Sequence, residues 1–558
     1  MTNSFIFKND RPWPNPRLKR AAIVGHITTD SVRLWFRTAA PGNYVLLLYP
    51  LGRDTKALDT GFRQVPYQSL NRLPAFVRQI PFTVADYTND STCVLDIDGL
   101  SPLTEYRYAL YGEEDGNLRV LLGQDRPYTF RTLPDTEQSL SFGFYSCHMP
   151  YVESIFGNTN LVNMEMWECL DQTLERHAKE DLRFLIAGGD QVYVDGVGTL
   201  DIWKYLNSVM CKKDGVLQPS REEMVSWYRD IYRGYWGFPS VRRVFSGYPT
   251  YMMWDDHELA DGWGSFKLNR NGSKDELDEI FPRRKEKKLK RVDCFQLLDR
   301  MREAAFQVYR EYQHSHNPPT SDAGQFDYAI SHGKTAIYFL DTRGYRDINR
   351  SKNRILGTKQ LKRFQKWLRE LDPQQTRYLF VVSTVPLMHM SSVVVNADDT
   401  VVADLANLQD DLRDSWEHEL HDVERKQLVR ALFEAASRGI KLSILSGDVH
   451  ASAVFRMVDD QSGAVIYQLT SSAITYNKPR FLGWILGETV PDEGQSGDGY
   501  RFERLALYTE SNFSMLRVDP ATDEVVFQLY GMQKVQHPDG EADDRPVTHS
   551  IMKQKLQF

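Results

Sequence analysis

Cysteine is scarce in this chain of 558 residues. The five present, Cys93, Cys147, Cys169, Cys211 and Cys294, form neither a C-x-x-C pair nor an even set, which argues against a zinc knuckle and a full disulfide framework. Long apolar runs are also missing: the longest, around 44–51, falls far short of the roughly 20 residues that span a bilayer, so no membrane span is expected. The opening residues MTNSFIFKNDRPWPNP carry Lys8, Asp10 and three prolines where an export signal needs an unbroken apolar stretch, and the chain reads as cytoplasmic. A strong charge of either sign is absent. With a formal net charge of -7, nothing draws the whole chain to nucleic acid or anionic membrane, so no obligate nucleic-acid partner is expected and an anionic ligand needs a local site. What is present, 41% hydrophobic and 26% charged residues, suits a globular protein able to bury a sizeable core.

Two regions differ in rhythm. Over 18–135, short β-rich runs (AAIVGHI, SVRLWFRT, YVLLLYPL, CVLDID, YRYALYG, YTFRT) are separated by Gly, Pro, Asp and Asn, the pattern of a small β-sandwich. The phrase LDIDGLSPLTEYRYALYG followed by YTFRTLP resembles a fibronectin type III module. From 139 to 535 the pattern becomes apolar strands ending in polar residues: FGFYSC, FLIAGGD, YMMWDDH, AIYFLDTR, LFVVST and LSILSGDVH. Amphipathic helices lie between the later ones. Thr358 is expected to cap one that buries Leu361, Phe364 and Leu368, and Gly439 to end another that buries Leu428, Leu432 and Ala435. This is an α/β layered core of sheets flanked by helices. Ligands in such sheets gather beyond the carboxyl ends of strands, where Cys147, Asp190, Asp256, Arg343 and Asp448 fall. FSMLRVDPATDEVVFQLYG reads as two strands closing an edge of the core, and 536–558 as a polar tail. The charged stretch 265–291 reads as a solvated segment with partly compensating charges, against the alternative of a binding patch.

Three strand-end clusters carry chemistry. In GGDQVYVD two glycines let the chain turn so that Asp190 and Tyr193 share a loop and can face one cation; the plain alternative is a surface turn capped by Asp190. In WDDHE, the adjacent Asp255 and Asp256 repel each other unless a cation or an arginine neutralises them, and His257 follows within reach of a reacting group. In SGDVH, Asp448 and His450 are one residue apart and can project to the same side. Each cluster alone is weak. Together they make a binuclear metal site the simplest account.

The ordered series VGHITTDSVRLWFRT, YSC, GGDQVY, WDDHE, REAAFQVYREY, FLDTRGYR, LGTKQLKRFQKWL, SGDVHAS and YQLTSSAIT resembles the alkaline phosphatase D (PhoD-like) branch of the calcineurin-like metallophosphoesterases over nearly the whole chain. WDDHE stands where the superfamily has GNHE, and SGDVH where it has GHxH. The resemblance implies that Cys147, Asp190, Tyr193 and His450 hold one metal, ferric iron, and that Asp190 bridges to a second, calcium, held also by Asp256 and Asp448. Zinc or manganese is the alternative. His148 is a rival to Cys147, and His389 is left outside the set.

The expected reaction is hydrolysis of phosphomonoesters or phosphodiesters by in-line attack of a metal-bound hydroxide. His257 would polarise the phosphoryl oxygen or protonate the leaving group, and Arg343 would clamp phosphate unless it is a structural ion pair. The rivals are a metal-dependent hydrolase of another ester and a noncatalytic binding protein on the same fold. Substrate, metal identity and oligomeric state are not legible.

Overall fold

The computed structural model describes residue 13 and residues 15–52, 73–114, 117–123, 128–153, 159–269, 276–389, 409–476, 490–533 and 547–558. Residues 1–12 and 14 of the opening stretch used to judge an export signal, Asp275 of the acidic run and residues 536–546 of the expected tail lie outside them. No helix among the described residues is long and apolar enough to cross a membrane.

The described strands within 21–131 form two antiparallel sheets, one with the order Ala21–Ile27, Ser31–Arg37, Thr92–Asp98 and the other built around Gly42–Pro50 and Glu105–Glu114. Alternation makes the first sheet two-faced. Val24, Leu34 and Phe36 pack on Leu46, Leu48, Tyr108 and Phe130 of the second sheet, whereas Ile23 and Trp35 point the other way, into the core of the larger unit. Trp35 donates its indole N–H to the Glu311 carbonyl at 2.7 Å.

The seam between sandwich and core is also ionic. Asp90 accepts two hydrogen bonds from Arg37 at 3.0 Å and one from Arg233 Nε at 2.9 Å, and further bonds from Arg233 Nη2 and the Tyr312 hydroxyl. Burial opposes ionisation of Asp90, but Arg37 and Arg233 outweigh it and hold the carboxyl well below the usual carboxylate range. A depressed folded-state value means that the unfolded chain binds the extra proton. The stabilisation is therefore complete above the unfolded value of about 3.9 and is lost as pH falls below it. Asp90→Asn should lower stability at neutral pH by about 3–5 kcal/mol, because it takes the carboxylate from the buried Arg37 and leaves Arg233, among the described residues, with only its 3.7 Å contact to Asp230. It should also flatten the acid limb of the stability curve. Denaturant unfolding of both proteins at neutral and acidic pH checks this, and equal acid sensitivity would count against the assignment.

The larger unit is two facing sheets with helices outside. The first has the order Thr250–Met253, Leu182–Gly188, Leu140–Tyr145, Phe513–Asp519, Glu524–Gln533, Val547–Lys555; its first three strands are parallel and its last three antiparallel. The second is eight-stranded, with Thr335–Phe339, Tyr378–Val382, Lys441–Ser446 and Val465–Thr470 parallel at its centre. Phe142 joins the sheets, stacking on Phe184 at 5.2 Å and meeting Phe380 edge-on at 5.1 Å. All six apolar runs expected as strands are strands. Helices Gly357–Glu370 and Asp422–Ser437 cover the second sheet through Leu361, Phe364, Leu368, Leu428, Leu432 and Ala435.

Three expectations need correction. Thr358 does not cap its helix: the Glu424 carboxylate reaches across from the neighbouring helix and accepts the N–H groups of Ile355, Leu356 and Gly357 at 2.8, 2.9 and 3.1 Å. The strand Phe513–Asp519 lies inside the sheet, paired directly with Leu140–Tyr145, and does not close its edge. The edge is Val547–Lys555, from the expected tail. Its polar side chains conceal it, because an edge strand with one open side needs only backbone partners, which Glu524–Gln533 supplies. In the charged stretch, Arg284 and Lys285 pair with Asp278 at 2.5 and 3.0 Å and Arg283 with Glu286 at 2.9 Å, the compensation expected.

Candidate metal centre

Parallel strands deliver their loops to one end of the two sheets. Cys147 follows Leu140–Tyr145, Asp190 follows Leu182–Gly188, Asp255 to His257 follow Thr250–Met253, and Asp448 and His450 follow Lys441–Ser446. The loops are laced by backbone bonds: Cys147 N–H donates to the Gly189 carbonyl at 3.2 Å and His148 N–H to the Asp190 carbonyl at 2.8 Å. Gly189, at φ +102°, has no room for a side chain, since a Cβ would lie 2.9 Å from that of Asp255. Gly447 likewise abuts Ser146, 2.4 Å from where its Cβ would stand. These glycines bring four loops into contact in pairs.

The backbone at the site is strained. Cys147, Asp190, Asp448 and His450 all adopt left-handed φ, at 57°, 56°, 63° and 51°. Non-glycine residues held there cost of order 1 kcal/mol or more each and persist only where the surroundings over-determine them. Four such residues converging on one point mark a built site.

Three donor groupings share Asp190, one of them with Asp256 and His257. Donor atoms of Cys147, Asp190 and His450 lie within 4.8 Å of one another, and so do those of Asp190, Asp255, Asp256 and Asp448. The Cys147 thiol sits 3.3 Å from Asp190 Oδ2 and 3.1 Å from the Ser472 hydroxyl. The Tyr193 hydroxyl is 2.9 Å from His450 Nε2 and 3.5 Å from Asp190 Oδ2. Tyr476 stacks on the His450 ring at 3.6 Å between centroids, fixing its plane.

Electrostatics favours a cation here. Burial, joined by neighbouring carboxylates, pushes the carboxyls of Asp190 and Asp448 well above their ordinary range. Burial raises Asp255 to about 6 even though Arg343 opposes it. Burial and Asp190 likewise raise the Cys147 thiol. Asp190 Oδ1 and Asp256 Oδ1 are buried and accept no hydrogen bond from any described residue. Crowded acids with open lone pairs fit metal ions, and the mixture of sulfur, phenol, imidazole and carboxylate donors suits a transition metal beside a harder divalent cation.

The structure places the remaining candidates individually. His257 lies 3.9 Å above the Tyr193 ring and its Nδ1 is 2.8 Å from Asp195 Oδ1. Burial disfavours its charged form, but Asp195, Asp256 and Asp190 prevail and raise its pKa well above the ordinary value. His148 turns away from the site: its Nδ1 meets the Thr475 hydroxyl at 2.8 Å and its Nε2 the Tyr235 carbonyl at 3.3 Å. Arg343 is the main correction. Its guanidinium is fully buried, bonded to Asp255 and to both oxygens of Asp414, so it cannot close on a phosphate. His389 is buried in the loop after Tyr378–Val382, where its N–H donates to Glu417 at 3.1 Å.

Sequence reasoning missed three residues. Asp195, in the already quoted GGDQVYVD, orients His257 and also accepts the Asp261 N–H. Glu258 accepts the N–H groups of Asp190, Gln191 and Asp255 at 3.1, 2.6 and 2.7 Å and so ties two of the loops together. Asp414 holds Arg343 from 71 residues away, with no local signal to reveal it.

A two-sheet core with acidic and histidine side chains gathered beyond its parallel strands defines an α/β protein with a candidate metal site. The chain belongs to the PhoD-like phosphatase family, whose model matches residues 166–482, more than half its length. That is a family of metal-dependent phosphoesterases. Its fold is similar to the solved structure of PhoD, with a TM-score of 0.58 and 16% identity over 98% of this chain and 94% of that one. A purple acid phosphatase, PPD1 from yellow lupin (Lupinus luteus) seeds, aligns with a TM-score of 0.49 and 12% identity over 96% of this chain and 75% of the plant protein. The uncharacterised protein YGR266W of Saccharomyces cerevisiae is 21% identical over 419 residues, 64% of this chain and 55% of the yeast protein. The chain thus spans just over half the length of that relative.

Proposed function

We propose that this chain hydrolyses phosphomonoesters or phosphodiesters at a binuclear centre, with one ion held by Cys147, Asp190, Tyr193 and His450 and a second by Asp190, Asp256 and Asp448. The observation that carries the reading is the meeting of two donor groupings at the buried, strained Asp190. Ferric iron is the proposed first ion and calcium the second, with zinc or manganese as the alternative. Bound metal supplies Lewis acidity and lowers the pKa of a coordinated water. The protein's part is positional. Asp195 accepts from His257 Nδ1–H, leaving Nε2 as the nitrogen that can donate a proton to the departing oxygen of an in-line displacement. Tyr193 supports the imidazole from below by stacking. Residues 18–135 are proposed as a fibronectin type III-like module, and the catalytic unit as everything from 139 onward, including the Val547–Lys555 strand.

Elemental analysis of purified protein, with a visible spectrum and a panel of phosphomonoesters and phosphodiesters, tests this. Iron with a second ion, a charge-transfer band from the bound thiolate or phenolate, and phosphoester cleavage are expected. Fully active, colourless, iron-free protein would remove the iron assignment. Metal-replete protein that cleaves no phosphoester would remove the function.

A further inference from the structure

Arg343 spends its charge on two sides of a fully buried cluster. Its Nε bonds Asp255, while Nη1 and Nη2 donate to the two oxygens of Asp414 at 2.5 and 2.6 Å. Nη2 also stands 3.3 Å from Asp256 Oδ1, close enough to attract it, yet that oxygen takes no hydrogen bond from any described residue. Asp414 ends the helix Gln409–Asp414 and is itself pinned by the Ser265 hydroxyl at 2.8 Å and by Arg346 Nε at 3.1 Å. Arg343, Asp414, Ser265 and Arg346 are all buried. The hydrogen-bonded link of Asp414 to the site is Arg343.

A planar guanidinium can serve two carboxylates at once, and where it settles depends on which pulls harder. Charges a few ångströms apart interact far more strongly in a buried site than in water. With Asp414 in place, the hydrogen bonds of Nη1 and Nη2 go to Asp414 and not to Asp256. Without that charge, Arg343 would be drawn onto Asp256 Oδ1, the oxygen that a cation needs.

We propose that Asp414 is a positioning residue of the metal centre: by holding Arg343 it keeps Asp256 Oδ1 available to the ion shared with Asp448. This rests on the reading of the site as a metal centre. A merely structural ion pair predicts lost stability and nothing selective about the metals, so the two roles separate experimentally.

The experiment measures calcium retention by purified protein against increasing chelator, with iron content and thermal melting determined on the same samples. Asp414→Asn should weaken calcium retention by about 10–100-fold, the usual cost of losing an outer partner of a metal ligand, and leave iron in place. The effect should vanish in an Arg343→Gln background, because residues that act through one another are not additive. Glu276→Gln, which breaks the 2.8 Å pair with Arg413 in the same buried cluster, should retain calcium as the wild type does. Calcium retention by Asp414→Asn equal to wild type, parallel loss of iron and calcium, or the same loss in Glu276→Gln would each overturn the proposal. Should Asp414→Asn not accumulate as folded protein, the charge-neutral Asp414→Asn/Arg343→Gln double variant carries the test. It must then hold calcium at least as tightly as wild type, and weaker retention overturns the proposal. Wild-type protein that holds no metal would instead bring down the functional reading beneath it.

Discussion

Asp190→Asn is expected to empty both metal positions while leaving the metal-free fold intact or slightly more stable. Asp190 is shared by the sulfur-containing grouping and the all-carboxylate grouping, so a neutral amide weakens both at once. Affinity for each ion should fall by more than the roughly 10–100-fold typical of an outer partner, since here the ligand itself is lost. The metal-free protein should respond in the opposite direction. Burial, assisted by Asp255 and Asp256, raises the Asp190 carboxyl in the folded state. The folded apoprotein therefore holds a proton that the unfolded chain releases, and its stability declines as pH rises above the ordinary carboxylate value of about 3.9. Asn removes that penalty. Thermal melting of chelated wild type and variant at neutral pH, beside elemental analysis of both as purified, checks the pair of outcomes. Asp255→Asn is the control: its carboxylate is already bonded to Arg343, so metal loss should be smaller. Equal metal loss in the two variants would overturn the choice of Asp190 as the bridge.

Much of this was legible because the information is local. Apolar runs ending in polar residues located six strands of the two sheets, four of which carry the site, since burial on both faces demands unbroken hydrophobic sequence and the chemistry begins where it stops. Asp190, Tyr193, Asp256, His257, Asp448 and His450 stand in short motifs at those strand ends, whereas Cys147, also at a strand end, became a candidate ligand only through the family resemblance. What escaped was decided elsewhere in the chain. The strand Arg78–Val84 contains Pro81 and pairs on one side only, so it lacks the signature of a buried strand. Val547–Lys555 escaped for a similar reason, its edge position tolerating polar side chains.

Side-chain partnerships across long sequence separations were the least accessible. WDDHE indicates that two adjacent acids need a positive partner, but not which one. In the structure Asp255 gives one oxygen to Arg343, while its Oδ2 and Asp256 Oδ1 take no hydrogen bond from any described residue. The expectation that Arg343 would clamp substrate came from its place at a strand end, which several buried ion pairs share. Asp414, by committing the guanidinium, changes Arg343 from a substrate group into a support for the ligands. Only the folded chain brings the two together.

His257→Ala should keep near-normal metal content and lose turnover. The imidazole is anchored at Nδ1 by Asp195 and stacked at 3.9 Å on Tyr193, an orientation that presents its other nitrogen for proton donation. Asp195 and its neighbours also favour the protonated ring, as a general acid requires. Loss of a positioned proton donor costs about 10²–10⁴-fold, or roughly 3–5 kcal/mol of barrier. The cost should shrink for esters whose leaving groups depart without a proton. A nitrophenyl ester should therefore be spared more than an alkyl ester. Asp195→Asn should reproduce the trend in milder form, because the ring remains but its orientation and charge are no longer secured. The measurement is turnover across a series of leaving groups for wild type and both variants, with metal content on the same samples. An equal fall for all esters would move His257 to polarising the phosphoryl oxygen. Loss of metal would make it a ligand, as its nearness to Asp190 and Asp256 allows, and unchanged turnover would remove it from the mechanism.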